Sequence, residues 1–165
     1  MENKENNLIK GIIAGAVAGL VATYVMTKYQ NFSQDIMSDN DEDSKDSGDP
    51  ATVKAANMIT KNVFDHKLEK DEKEIAGQTI HYLMGGVSGA ILGASAEYTE
   101  LAKMGGGLPF GTAVWAIADD IIVPALGLAK SPTQTSLSTH AYALTSHWVY
   151  GSVSEYVRRA IRNML

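Results

Sequence analysis

Hydrophobic positions in this chain fall into long blocks separated by polar stretches, and block length decides what each becomes. From Ile9 to Thr27 (IKGIIAGAVAGLVATYVMT) the only charge is Lys10, at the edge. A helix of that length crosses a hydrocarbon layer of about 30 Å, so the block predicts a first membrane span over 9–27. A signal peptide is the competing reading, since the apolar run follows Lys4 and Lys10, but the run is long and no A-x-A site follows it. A second block predicts a span over 75–98, with Glu69, Asp71, Glu72 and Glu74 placed where they favour a helix N-terminus. A third, over 108–129 (LPFGTAVWAIADDIIVPALGLA), is entered through Gly105-Gly106-Gly107 and interrupted by Pro124 and Gly127. A fourth predicts 136–158, after the turn at Ser131-Pro132. It is the most polar, carrying Ser, Thr, Tyr and His but no charge until Glu155.

The polar stretches have their own character. Gln30 to Gly48 (QNFSQDIMSDNDEDSKDSG) is acidic and has few groups to bury, so residues 30–48 predict a flexible, disordered loop. Over 49–66, Asp49-Pro50 offers an N-cap and a first-turn proline. Val53, Ala56, Thr60, Val63 and Phe64 then recur at helical spacing above a charged face. That segment predicts an amphipathic helix lying on the bundle or on lipid headgroups. The expected fold is therefore all-α, a four-span transmembrane helix bundle in a single domain, with one extra amphipathic surface helix and an acidic loop.

Bulk composition conceals this arrangement, because 45% apolar and 20% charged residues would suit a soluble protein. Twelve of the nineteen acidic residues and seven of the fourteen Lys/Arg lie between Lys28 and Glu74, which leaves the apolar blocks almost uncharged. A net charge of -5 supplies no basic stripe for phosphates, so nucleic acid is not an expected partner. The lipid bilayer is. With no cysteine there is no disulfide and no thiolate metal site. No Ser/His/Asp elbow, Walker loop or HExxH sequence occurs, so no enzyme activity is expected. Four spans put both termini on one side, where Lys4, Lys10, Arg158, Arg159 and Arg162 favour the cytoplasm.

Two glycine zippers stand out: Gly11, Gly15 and Gly19 in the first span, and Gly85, Gly89 and Gly93 in the second. In a bilayer, lipid tails remove the hydrophobic incentive for helices to associate, so close backbone approach over small residues carries more of the packing. The two stripes can join helices within one chain or between chains, which makes a homo-oligomer a candidate partner.

Counting by four places His81 on the same stripe as Gly85, Gly89, Gly93 and Glu97. In the third span Asp120 shares a face of small residues with Ala113, Ala116 and Pro124, while Asp119 points about 100° away on a straight helix. In the fourth, His140 and His147 face the bundle. An ionised carboxylate at mid-membrane costs roughly 2.5–3.5 kcal/mol on insertion scales, so Asp119 and Asp120 require compensation, and His81, His140 or His147 can supply it. A cluster of this kind is expected to titrate near neutral pH, which suits proton or ion handling. The plainer alternative is helix glue that also satisfies backbone freed by Pro124 and Gly127. A metal or bis-histidine haem site is a weaker alternative, since His140 and His147 lie about 10 Å apart on one helix and would need His81 or Asp120 as well. No metal or cofactor is therefore assigned.

Laid out in order, the blocks GIIAGAVAGLVATYVMT, DPATVKAA, AGQTIHYLMGGVSGAILGASAE, GLPFGTAVWAIADDIIVPALGL and STHAYALTSHWVYGSVSEYVRR make a chain that resembles the YagU-like family of bacterial inner-membrane proteins, a domain of unknown function. The resemblance implies a multi-pass protein of the bacterial inner membrane, loosely associated with acid resistance, and no established activity or catalytic residue. His81, Asp119, Asp120, His140 and His147 all lie inside the matching blocks.

Overall fold

The computed structural model describes residues 4–38 and 48–165, and every regular element among them is helical. Helix α1 (Lys4–Ser38) is followed by α2 (Ala51–Phe64) and α3 (Glu72–Ala96). A 3-10 segment (Glu100–Gly107) leads into α4 (Leu108–Ile117), a π turn (Ala118–Ile122) and α5 (Val123–Ala125). After a short 3-10 turn at Pro132–Gln134, α6 (Leu137–Arg162) closes the chain. Helix α1 is central, packing on α3 with one face and on α6 with another, while α4 covers the far side of α6 and α2 lies on α3.

Glycine makes the α1–α3 contact possible. Gly11 meets Gly93, Gly15 meets Gly89 and Gly19 meets Gly85, so the two helices run antiparallel with both predicted zippers facing each other inside one chain. A Cβ on Gly15 would stand 2.8 Å from the Gly93 Cα, and one on Gly89 would stand 2.7 Å from the Gly19 Cα. Real side chains do not tolerate such distances, so the helices touch backbone to backbone. Ala14, Ala18, Ala22 and Met26 form the adjacent buried row of α1, and Ala22 and Met26 join Tyr150 of α6 in an apolar cluster edged by Phe110, Val114 and Val153. Tyr150 also spans the bundle: its Oη donates to the Gly85 carbonyl at 2.7 Å.

With small residues inside, the bulky apolar ones face outward. Ile9, Ile12, Ile13, Val17, Leu20 and Val21 of α1 are exposed, as are Val87 and Ile91 of α3 and Ile117 and Ile121 beside α4. A soluble protein buries such side chains and rarely exposes them in continuous stripes. Two segments, Asn7–Asp35 and Glu100–Ala125, are long and apolar enough to cross a membrane.

Several expectations need correction. Residues 30–38, assigned to the acidic loop at 30–48, continue α1 to Ser38; residues 39–47 of that loop lie outside the described residues. Extending an existing helix adds a hydrogen bond per residue fixed, and here α6 holds the extension. Tyr29 Oη donates to Thr145 Oγ1 (3.1 Å), Gln34 Nε2 donates to Tyr142 Oη (3.2 Å), and Tyr142 Oη donates to the Gln30 carbonyl (3.4 Å). Asp49 does not cap α2, because its carboxylate pairs with Lys73 of α3 at 2.7 Å. The third block stops being helical at Ala125 rather than 129, with Gly127 in the left-handed region at φ 70. Helix α2 itself forms as expected and seats Val53 on Gly77 of α3.

The close α1–α3 contact generates the first prediction. Gly89→Ala forces backbone against backbone and is expected to lower unfolding stability in mild detergent by about 1–3 kcal/mol. Gly86→Ala, which would meet only the end of the Leu20 side chain at 3.3 Å, is expected to be tolerated. Equal stability of the two variants, measured side by side, would refute the contact.

Candidate functional site

The site lies where α4 and the π turn run along the N-terminal half of α6. The chain enters α4 through Gly105, Gly106 and Gly107, at φ 61, 60 and 88, a region that strains any other residue. Pro109 then sits in the first turn, where its missing N–H leaves nothing unsatisfied. Gly107 and Gly111, four residues apart, rest on Gly151 and His147 of α6, and a Cβ on Gly151 would stand 2.8 Å from the Gly111 nitrogen. A third small-residue contact thus presses α4 flat on α6. Trp148 Nε1 ties the pair by donating to Thr112 Oγ1 at 2.9 Å.

Two turns further along, Pro124 interrupts the regular ladder. It has no N–H to donate to the Asp120 carbonyl, and its ring would press on that carbonyl in an α-helix. The backbone opens instead into the π turn, with the Val123 N–H bonding the Ala118 carbonyl. The wider turn rotates the chain less per residue. From this turn Asp119 and Asp120 both reach α6.

Each aspartate meets a different histidine. Asp120 Oδ1 lies 3.5 Å from His140 Nδ1, and Asp119 Oδ2 lies 3.6 Å from His147 Nδ1. The surroundings set different proton positions for the two rings. His140 Nε2 is 3.0 Å from the Pro132 carbonyl, which can only accept, so Nε2 carries hydrogen. In the neutral ring Nδ1 is then a bare lone pair facing a carboxylate, and the contact becomes attractive only when a proton is held by Nδ1 or by Asp120. His147 is arranged the other way. Its Nδ1 hydrogen is given to the Ala143 carbonyl at 2.9 Å, and Asp119 stands beside a donor that is already committed. The Trp115 ring meets His140 edge-on, with centroids 6.0 Å apart, and covers the Asp120 pair.

His81, expected with this group, is half-buried on α3 and pairs with neither aspartate; the Tyr82 ring is its aromatic neighbour. Among the described residues no three His, Asp or Glu side chains converge where a metal ion could sit. Four of the five predicted polar candidates therefore meet at one place, as two pairs, and His81 lies within electrostatic reach of His147 without pairing with an aspartate. The six zipper glycines lie away from it, between α1 and α3. Sequence reading missed the Gly107/Gly111 spacing that seats α4, although it repeats the four-residue step of the two recognised zippers. It also missed Glu155, Arg158 and Arg159, whose i+3 and i+4 spacing on one helix is itself a pairing signal.

Compared with protein-family models, curated proteins and solved structures, the chain matches none.

The Asp120–His140 contact is open to direct measurement. In a double-mutant cycle of Asp120→Asn and His140→Gln, a coupling free energy of about 0.5–1.5 kcal/mol is expected. Zero coupling would show that the two side chains do not act as a pair.

Proposed function

We propose that this is a four-span, multi-pass protein of a bacterial inner membrane, and that its α4–α6 aspartate–histidine pairs act as a pH-responsive proton or ion element. The observation that carries the reading is the Asp120–His140 pair, which needs a proton to be attractive and sits in a bundle whose bulky apolar side chains point outward. Support for four spans comes from length as well. Besides the two apolar segments, α3 and α6 have 25 and 26 residues, enough for roughly 37–39 Å each. The resemblance to the YagU-like family supports the same setting and the connection with acid stress.

The rival reading, a module that assembles through glycine zippers, draws less support. Both zippers are occupied by each other within one chain, so an oligomer would have to use a different face.

Reconstitution tests this directly. In liposomes under an imposed pH gradient, the wild-type protein is expected to dissipate the gradient faster than empty liposomes. Asp120→Asn is expected to slow that flux at least about tenfold while keeping its helical content and melting temperature. A wild-type flux no greater than that of empty liposomes would sink the proton reading.

A further inference from the structure

At the other end of the bundle the last turns of α6 meet the end of α3, the start of α1 and the 3-10 segment. Glu155 is fully buried there and grips two guanidinium groups. Arg158 donates to it through Nε at 2.7 Å and Nη2 at 2.8 Å, and Arg159 through Nε at 2.6 Å. One carboxylate neutralises one cation, so this trio retains a positive charge. Its neighbours do not cancel it, because Glu97 is taken by Arg162 at 2.7 Å and Glu100 by Lys103 at 2.6 Å. On α1, Glu5 and Lys10 offset one another in charge.

Helix dipoles leave the balance unchanged. Each helix terminus carries about half an elementary charge, but α3 and α6 end here while α1 and α4 begin here, so two negative and two positive ends cancel to first order. The surplus therefore belongs to the side chains. Above them opens a cleft of about 380 Å³ lined by Glu97, Lys103, Arg158, Arg159 and Arg162. Arg158 and Arg159 make their bonds with Nε and Nη2, the last of Arg159 going to the Lys103 carbonyl at 3.1 Å. Nη1 of each has no partner among the described residues. Two adjacent guanidinium edges with N–H groups to spare, held rigid by a buried carboxylate, are a geometry that suits the several oxygens of a tetrahedral phosphate.

We propose that this cleft binds a phosphate-bearing anion, with Arg158 and Arg159 donating to its oxygens. The source is a lipid headgroup or free inorganic phosphate. In the four-span arrangement this end lies at headgroup level, and the exposed rings of Tyr98 and Tyr156 stand where an interfacial aromatic belt belongs. That placement rests on the membrane reading; the anion chemistry of the cleft does not.

The test uses the full chain in phosphatidylcholine nanodiscs, titrated with inorganic phosphate and, separately, with short-chain phosphatidylglycerol, reading melting temperature and bound ligand by native mass spectrometry. At least one of the two anions is expected to bind, and Arg159→Gln, a change at a half-exposed side chain, is expected to weaken it about tenfold. Phosphatidylglycerol that excess phosphate fails to displace identifies a lipid site, and equal competition by phosphate identifies a free-anion site. If neither binds better than phosphatidylcholine, or if Arg159→Gln leaves both affinities unchanged, the proposal is overturned. A chain that stays in solution without detergent would remove the membrane reading and leave the phosphate titration as the judge of the cleft.

Discussion

The structure depends first on direct backbone contact between α1 and α3. Where Gly15 meets Gly89 and Gly19 meets Gly85 there is no side chain between the helices, so attraction arises from dispersion and weak Cα–H···O contacts over a flat strip. Such a strip has little tolerance, and it dictates what surrounds it. Once α1 and α3 are this close, few bulky apolar residues find an interior position and most turn outward. Tyr150 of α6 can then reach across to the Gly85 carbonyl, which sets α6 against both helices at once. The same device recurs at Gly107, Gly111 and Gly151, and that second strip sets how near the π turn comes to His140 and His147.

Helix α6 carries the polar interior from one end of the bundle to the other. His140, Ala143, His147, Tyr150, Ser154 and Arg158 follow one another at three- and four-residue steps along its inner face, with Glu155 next to Ser154. The chemistry changes along that line. At the N-terminal end, imidazole and carboxylate can exchange their charges for a shared proton. At the C-terminal end, guanidinium groups stay ionised at any accessible pH and hold the Glu155 carboxylate between them. One helix thus carries imidazole–carboxylate pairs at one end and a guanidinium–carboxylate cluster at the other.

Much of the fold was legible because block length and glycine spacing are local properties. The step of four in Gly11, Gly15 and Gly19 identifies a packing face without needing a partner. It cannot say which helix will cover that face, and the pairing with Gly93, Gly89 and Gly85 appears only in three dimensions. The helical extension through residues 30–38 was hidden for a related reason. Composition reports how much a segment can bury, whereas this one is held by Tyr142 and Thr145, more than a hundred residues away. At the site, the histidine face of α6 could be read from periodicity. The placement of Asp119 could not, because the count assumed a regular helix. Pro124, four residues after Asp120, is the signal in the sequence that the regular count fails there.

The two Asp/His pairs are not equivalent, and the difference lies in what holds each imidazole. His147 donates to the carbonyl four residues earlier on its own helix, so its orientation is a property of α6 and survives movement elsewhere. His140 donates to Pro132, in the connection between α5 and α6, so its orientation depends on where that connection sits. The same connection is tethered from outside the bundle, since Lys54 of α2 donates to the Leu128 carbonyl at 3.1 Å. Loss of the proton shared by Asp120 and His140 would set two lone pairs against each other at the point where the π turn, the connection and α6 converge. The repulsion would act on the least regular backbone in that half of the molecule and bypass the rigid glycine strips. A proton held at that position is therefore placed to alter the connection and, through Lys54, the seating of α2, whereas a proton at His147 is not.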